Sequence, residues 1–358
     1  MGVDDRYWDP ISAAEADDVL GPGTRILASH RRWLFSVARC RAADGRELYV
    51  KRQPPMGRSL EQLRWQHRLA NHLADRGVPA ARTAGIVERG ELWYELIQPA
   101  AGHDVYTGTD TWEPFRSVAH VEAAGAMLAH LHEAGEDFEP LEPQPQAGFV
   151  VQLGAVRGQP VAAVRSRMAA RPAVGEYLHG RTWEPAVEDA YAALFDQLRP
   201  VIEALPVRPL HGDWQTNNLL FDGDRVAGII DFHQADCGPR VLDLAVAVER
   251  NCFFWNRISD GDDGAWDADH ARRLIAAYDA VSPLTPAERE AFPAVLAACQ
   301  FEYGISFLDY YWGVERDREK ADWAWHTFVL GHARWWGTRA GRRASELIRQ
   351  AAATAAAP

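Results

Sequence analysis

An α+β fold in two parts, a small antiparallel-sheet unit followed by a larger and mainly helical one, is predicted by three features of this sequence. Strand-like runs joined by hairpin turns occupy the first hundred residues. Helical periodicity takes over after Gly102, and one further hairpin interrupts the second part at 218–232.

The length of 358 residues predicts one large or two moderate domains with ample buried core. An apolar fraction of 47% and a charged fraction of 25% are those of an ordinary globular chain. A net charge of −12 argues against a nucleic-acid partner, because phosphate-backbone binding needs an excess of Lys and Arg. Cys40, Cys237, Cys252 and Cys299 are scattered without CxxC pairing and read as free thiols in a reducing compartment. The polar, acidic start MGVDDRYWDP lacks the order of a signal peptide, and no apolar run is expected to be long enough to span a bilayer. A cytoplasmic protein with no membrane partner is the expectation, and no internal repeat is seen.

In the first part, ILASHRRWLFSVARC (26–40) and RELYVKRQ (46–53) flank Ala42-Ala43-Asp44-Gly45, where Asp-Gly signals a hairpin. Lys51 therefore lies on the second strand of an antiparallel pair. SLEQLRWQHRLANHLAD (59–75) places Leu60, Leu63, Leu69 and Leu73 on one helix face, with Ser59 as N-cap and Gly77 beyond the end. ARTAGIVERGELWYELIQP (81–99) predicts another hairpin turning near Arg89-Gly90.

In the second part, HVEAAGAMLAHLHEA (120–134) has helical spacing, LEPQPQAG (141–148) reads as a linker or surface loop, and 186–205 as a helix kinked by proline. More helices follow from Asp267, ending in a tail expected to fray. The acidic DGDDGAWDADH (260–270) lacks glycine where a calcium loop needs it, and reads as an acidic surface loop over the cleft.

The chemistry concentrates in HGDWQTNNLLFDGDRVAGIIDF (211–232). NLLF (218–221) and RVAGIIDF (225–232) flank the turn Asp222-Gly223-Asp224, so Asn218 at the start of one strand is carried towards Asp231 at the end of the next. Asp213 sits on the loop just before. Oxygen-bearing side chains that converge in this way suit Mg²⁺, which binds one or two carboxylates together with water and substrate phosphates. Asp213 is then left to orient a hydroxyl or accept its proton, which completes the parts needed for phosphoryl transfer.

These residues resemble the aminoglycoside phosphotransferase and choline kinase group, small-molecule relatives of the protein kinases. His211-Gly212-Asp213 with Asn218 is similar to the catalytic loop HGDxxxxN of that family. Ile230-Asp231-Phe232 is similar to its metal-binding motif, Asp243-Leu244-Ala245 to its structural DLA, and Leu128, Leu131 and His132 to the preceding helix. The resemblance implies a two-lobed, protein-kinase-like fold, with a nucleotide-binding lobe at 1–98 and a catalytic and substrate-binding lobe at 99–358. It implies Asp213 as catalytic base or positioning carboxylate, Asn218 and Asp231 as magnesium ligands, and Lys51 on the α and β phosphates of ATP or GTP. His211 and Asp243 would be structural, and Glu95 to Pro99, including Ile97, would form the hinge against the purine.

Two places depart from the pattern. Many members place a glutamate where this chain has Gln66, which leaves Glu61 either as the partner of Lys51 or as a solvated first-turn acid that favours the helix dipole. The phosphate-covering turn SHRRW (29–33) has no glycine, so Ser29 and His30 would supply donors and Arg31 or Arg32 would meet phosphate oxygens.

The acceptor site should lie in the helical part. Trp255, and Glu302 and Asp309 seven residues apart on one helix face, could receive an amine-bearing sugar, a quaternary ammonium or a nucleoside; the same pattern also describes an amphipathic core helix. The sequence reading is thus a Mg²⁺-dependent transfer of the γ-phosphoryl of ATP or GTP to a hydroxyl of a small molecule. An antibiotic (aminoglycoside or nucleoside), in resistance or self-protection, is the first choice, and a metabolite such as homoserine or choline the second. A catalytically silent kinase-like binding protein is the alternative of another class.

Overall fold

The computed structural model describes residues 9–31, 35–53, 59–108, 111–140 and 153–354. Alternating residues and glycine turns build an antiparallel sheet from β1 (Arg25–Arg31), β2 (Ser36–Arg41), β3 (Glu47–Gln53), β4 (Thr83–Arg89) and β5 (Leu92–Ile97), in the order β1-β2-β3-β5-β4. Gly45 and Gly90 turn the two predicted hairpins with φ of 88° and 58°, values that glycine adopts without a Cβ clash. The run predicted as strand over 26–40 is two strands, and Arg32 of the turn between them lies outside the described residues.

Side chains alternate across this sheet. One face carries Ala38, Cys40, Val50 and Tyr94, which pack with Ile11 and Ala16 into a small core; burying Val50 or Ile11 contributes about 1.5–3 kcal/mol each. Ala16 comes from α1 (Ala13–Leu20), which the sequence reading did not foresee although its start is written in Ser12 and Glu15. The Glu15 carboxylate accepts from Ser12 N at 2.9 Å while Ser12 Oγ accepts from Glu15 N at 3.3 Å, a reciprocal cap.

The opposite face presents His30, Val37, Lys51 and Glu95 as one row of cross-strand neighbours. Helix α2 (Leu60–Asp75) covers part of it, capped by Ser59 Oγ accepting from Gln62 N at 3.0 Å and followed by Gly77 at φ 86°.

The chain crosses to the second lobe after Ile97. Gln98 N still donates to Arg82 O at 2.8 Å, and by His103 the backbone is paired with Phe221, at 2.8 and 2.9 Å in the two directions. A second junction ties Ile229 to the segment after α2, through Ala81 N to Ile229 O and Ile229 N to Pro79 O, both 2.8 Å.

The second lobe holds α3 (Val118–Ala134), α4 (Pro160–Ala170), α5 (Pro172–Leu178), α6 (Glu184–Leu198), α7 (Arg240–Cys252) and α8 (Trp255–Ser259). Then follow α9 (Ala268–Val281), α10 (Pro286–Ala298), α11 (Gln300–Gly313), α12 (Arg318–Trp323), a π-helical segment Ala324–Gly331, α13 (His332–Trp336) and α14 (Arg339–Thr354). Helix α6 stops at Leu198 rather than running to 205, because Pro200 has no N–H to continue the ladder. The Pro-rich stretch 141–148 lies outside the described residues. The acidic stretch 260–270 forms turns and the start of α9, where the Asp267 carboxylate accepts from His270 N at 2.9 Å.

Contrary to the sequence expectation, one stretch, Pro286–Gly313, has the length and hydropathy of a membrane span, and 94% of that window is buried among the other helices. Its apolar surface is taken up by the core. All four cysteines are free thiols.

Two short hairpin-like ladders sit between the lobes. β6 (Val207–Leu210) pairs with β9 (Asp236–Pro239), and between them β7 (Leu219–Asp222) pairs with β8 (Arg225–Ile229) around Gly223. The strand predicted to run to Phe232 ends at Ile229, because Asp231 adopts φ 64° and ψ 63°, a left-handed conformation that breaks the ladder.

Candidate functional site

The loop 211–218 is held in place before any catalytic question arises. Asp243, on the first turn of α7 and fully buried, accepts from His211 N at 2.7 Å and Gly212 N at 2.9 Å, and its Oδ2 lies 3.2 Å from His132 Nε2. Burial works against ionisation of Asp243, yet His132, His211 and these backbone donors outweigh it and keep the carboxyl below its ordinary range. Gly212 has φ 80°, and a Cβ there would overlap the carbonyl oxygen of Gln234, so both conformation and space demand glycine. His211 Nδ1 accepts from Asp213 N at 3.3 Å, which leaves Nε2 to donate to Ile230 O at 3.0 Å. One imidazole thus ties the loop carrying Asp213 to the segment carrying Asp231.

Asn251 secures the far side of the loop. Its Oδ1 accepts from Thr216 N at 3.0 Å and its Nδ2 donates to Trp214 O at 2.9 Å, from a fully buried position on the last turn of α7.

Within this frame Asp213 Oδ2 accepts from Gln215 Nε2 at 2.8 Å and Asn218 Nδ2 at 3.1 Å, whereas Oδ1 is buried without a hydrogen-bond partner. One oxygen is fixed and the other is left to act. The Asn218 amide nitrogen is engaged with Asp213, so its oxygen is turned elsewhere, and Ile230 N donates to Asn218 O at 3.0 Å, which sets Asn218 beside the Asp231 segment. Asp231 Oδ1 accepts from Lys51 Nζ at 2.6 Å and lies 2.7 Å from His233 Nδ1. Burial opposes its ionisation, but His233 and Lys51 hold the carboxyl well below the usual range. A carboxylate whose neighbours favour its ionised form and an amide oxygen fit a hard divalent cation, which takes water and phosphate oxygens as its further ligands. Among the described residues no cluster of three or more His, Cys, Asp or Glu offers a closed metal cage.

Lys51 is 4% exposed, with its ammonium 3.8 Å from the Phe35 ring centroid. Its acid is Asp231, 180 residues away in sequence, not Glu61. Glu61 is exposed on the first turn of α2, the outcome expected for an acid that serves only the helix dipole. Gln66, on the buried face of α2, donates to His233 O and Ala235 O, both at 3.0 Å, and fastens the helix to the Asp231 segment. Accordingly Glu61→Ala is expected to change turnover by less than about twofold and stability by under about 1 kcal/mol, measured by initial rates and a thermal melt. A tenfold loss of rate would return Glu61 to the phosphate site.

The pocket beneath the sheet is lined by Lys51, His67, Thr83, Glu95, Ile97 and Asp231 among others. Glu95 is not hinge backbone: it lies within β5 between β3 and β4, and its carboxylate, 2.8 Å from His67 Nε2 and also accepting from Gln53 Nε2, faces the pocket interior. Ile97 ends the strand, so backbone free to meet a purine begins past Gln98. His30 shares the face of Lys51 and is exposed, whereas Ser29 pairs with Ala38 on the α1 side and has its side chain directed away from the cleft.

The expected acceptor residues are already engaged inside the second lobe. Trp255 is 2% exposed and stacked on His332 at 3.6 Å between ring centroids. Glu302 and Asp309 do share one face of α11, but α4 and the start of α5 cover it: Arg167 meets Glu302 at 2.5 Å and Arg171 is 3.9 Å from Asp309. Their charges are already answered, and burial raises the pKa of both carboxyls. Sequence reasoning missed Arg250, whose Nε lies 3.6 Å from Asp213 Oδ1, and its neighbour Glu249. The signal was available as Glu249-Arg250-Asn251, three polar residues within the otherwise apolar run after Asp243.

With this geometry in hand, the comparison with known proteins is decisive: the profile of the phosphotransferase enzyme family matches residues 27–284. The chain belongs to the phosphotransferase enzyme family. This phosphotransferase is similar to the homoserine kinase of Janthinobacterium sp. (strain Marseille), 32% identical over 263 residues that cover 73% of each chain. It is also similar to the homoserine kinase of Granulibacter bethesdensis, 29% identical over 73% of this chain and 72% of that one. Among solved structures it shares the fold of a macrolide 2′-phosphotransferase from Brachybacterium faecium, with a TM-score of 0.53 at 16% identity over 88% and 98% of the two chains. The gentamicin–APH(2″)-IIa complex gives a TM-score of 0.55 at 14% identity, over 92% and 98%. The phosphotransferase therefore has the two-lobed, kinase-like α+β fold, and it is an enzyme acting on small molecules.

Proposed function

We propose that this phosphotransferase moves the γ-phosphoryl of ATP or GTP, with Mg²⁺, to the hydroxyl of a small hydroxylated amino acid such as homoserine. The observation that carries the reading is the asymmetry of Asp213: Oδ2 is fixed by Gln215 and Asn218, and Oδ1 stands unbonded to take the acceptor's proton. Asn218 and Asp231 would hold the metal, which would supply positive charge against the negative charge of the transferred phosphoryl group. Lys51 would draw the nucleotide's phosphates to the sheet, and the lobe boundary after residue 98 would place the purine under β5.

Homoserine is put ahead of an antibiotic acceptor, reversing the order reached from the sequence, because the homoserine kinases resemble this chain over nearly three quarters of its length. The kinship with antibiotic kinases is one of fold. The persistence of Lys51, Asp213, Asn218 and Asp231 in mutual register argues against a silent binding protein.

The test is nucleotide consumption with ATP and GTP against panels of amino-alcohol metabolites, aminoglycosides and nucleoside antibiotics, with mass spectrometry of each acceptor. Homoserine gaining one phosphoryl group, with the reaction stopped by EDTA, is the expected result. Response of an antibiotic panel alone would replace the acceptor assignment.

A further inference from the structure

Behind Asp213 the second lobe buries polar atoms that have no hydrogen-bond partner among the described residues, and they cluster. Asp213 Oδ1, Arg250 Nε and Arg250 Nη2 are all so placed, and buried polar groups left unbonded are rare enough in folded proteins to need a reason. Arg250 is 2% exposed. Its guanidinium stays charged in any protein interior, so the missing bonds cannot be offset by losing a proton.

The surroundings define which part of Arg250 is available. Its guanidinium lies 4.0 Å from the Tyr303 ring centroid and 5.3 Å from that of Trp112, so aromatic rings attend it on both counts. Asp213 and Glu249 stand 3.6 and 3.7 Å from Nε, close enough to attract and too far to hydrogen-bond. Nε and Nη2 are the two nitrogens that form one edge of the guanidinium fork. That edge is the geometry that receives a carboxylate through two parallel N–H···O bonds.

We propose that Arg250 binds a carboxylate of the phosphoryl acceptor through Nε and Nη2, so that the enzyme selects hydroxy acids whose hydroxyl and carboxylate are separated by only a few bonds. The short reach follows from position: Arg250 and the free oxygen of Asp213 are immediate neighbours, so a molecule anchored on one must present its hydroxyl to the other at once. Trp112 closes the same place. It is a bulky residue held at φ 68°, a conformation such residues rarely adopt, and its Nε1 donates to Glu249 Oε1 at 3.0 Å. The inference rests on the assignment of Asp213 as the residue that accepts the acceptor's proton, and it deepens that reading by naming the chemical class of the acceptor.

The experiment compares L-homoserine, homoserine carboxamide, 3-aminopropan-1-ol and 4-hydroxybutanoate as acceptors, for wild type, Arg250→Gln and Arg250→Lys. Wild type is expected to prefer the acid over its amide by about 100-fold or more in kcat/KM, because a site built for a polar group rejects analogues lacking it. It is also expected to phosphorylate 4-hydroxybutanoate measurably and 3-aminopropan-1-ol poorly. In R250Q the ratio of acid to amide should fall towards one, and R250K, which keeps the charge without the fork, should lie between. If wild type treats acid and amide alike, or if R250Q lowers both by one factor and preserves the ratio, Arg250 does not read the acceptor and the inference is overturned while the proposed reaction stands. If no hydroxy acid or amino alcohol is phosphorylated, both fall. Should R250Q fail to fold, R250K carries the same ratio test, and equal use of acid and amide by wild type overturns the inference by itself.

Discussion

Asp213→Asn is expected to lower kcat by about 10²–10⁴-fold, the range for removing a general base, while the affinity for Mg²⁺–nucleotide changes by less than about threefold. The reason is local. Asparagine has the size of aspartate, and its amide oxygen would turn to the donors that hold Oδ2, Gln215 Nε2 and Asn218 Nδ2. The amide NH₂ would then occupy the place of Oδ1, where a proton must be received, and would face the donor Nε of Arg250. Positioning of the nucleotide is untouched by this exchange; acceptance of the proton is lost. Steady-state rates on a verified acceptor, with equilibrium binding of a non-hydrolysable nucleotide, separate the two. Full turnover by this variant would mean that Asp213 is not the base.

A different failure is expected at Asp231. Asp231→Ala should weaken Mg²⁺–nucleotide binding at least about tenfold and take turnover below detection, because a metal ligand and the counter-ion of Lys51 are removed together. The second loss has its own signature. Lys51 is almost wholly buried and His233 shares the same oxygen, so the alanine leaves a buried cation unanswered, for which about 3–5 kcal/mol is typical. A lowered melting temperature should therefore accompany the binding defect, with Asp231→Asn recovering stability better than binding. Unchanged nucleotide affinity in both variants would remove Asp231 from the metal site.

What was legible in the sequence, and what was not, divides along a physical line. Local signals were readable: Asp-Gly and Arg-Gly turns, the capped α2, and the tight spacing of His211, Asp213, Asn218 and Asp231 within one short stretch built around a hairpin. The N-cap of α1 was equally local and was passed over. Long-range pairing was not readable. Glu61 was a candidate partner for Lys51 because helix periodicity finds apolar faces and counts every polar residue as solvated, while α2 buries Gln62, Gln66 and His67 on the side that meets the sheet and the second lobe. Glu302 and Asp309 were correctly placed on one face, but nothing in α11 itself reveals that Arg167 and Arg171 cover that face. Arg250 escaped for the converse reason: a lone cation near a helix end reads as surface, and only the fold shows it buried beside Asp213.

The last turn of α7 carries Glu249, Arg250 and Asn251 in succession, which meet Trp112, Asp213 and Thr216 respectively because successive helical residues are rotated by about 100°. The same helix begins with Asp243, which grips the other end of the loop bearing Asp213. Inserting or deleting a single residue between 244 and 249 would therefore unthread every one of these engagements at once. Side chains on this turn can be exchanged one at a time, whereas the length of helix between Asp243 and Asn251 cannot change without releasing one end of the loop, like the gauge of a lock into which only differently cut keys can be fitted.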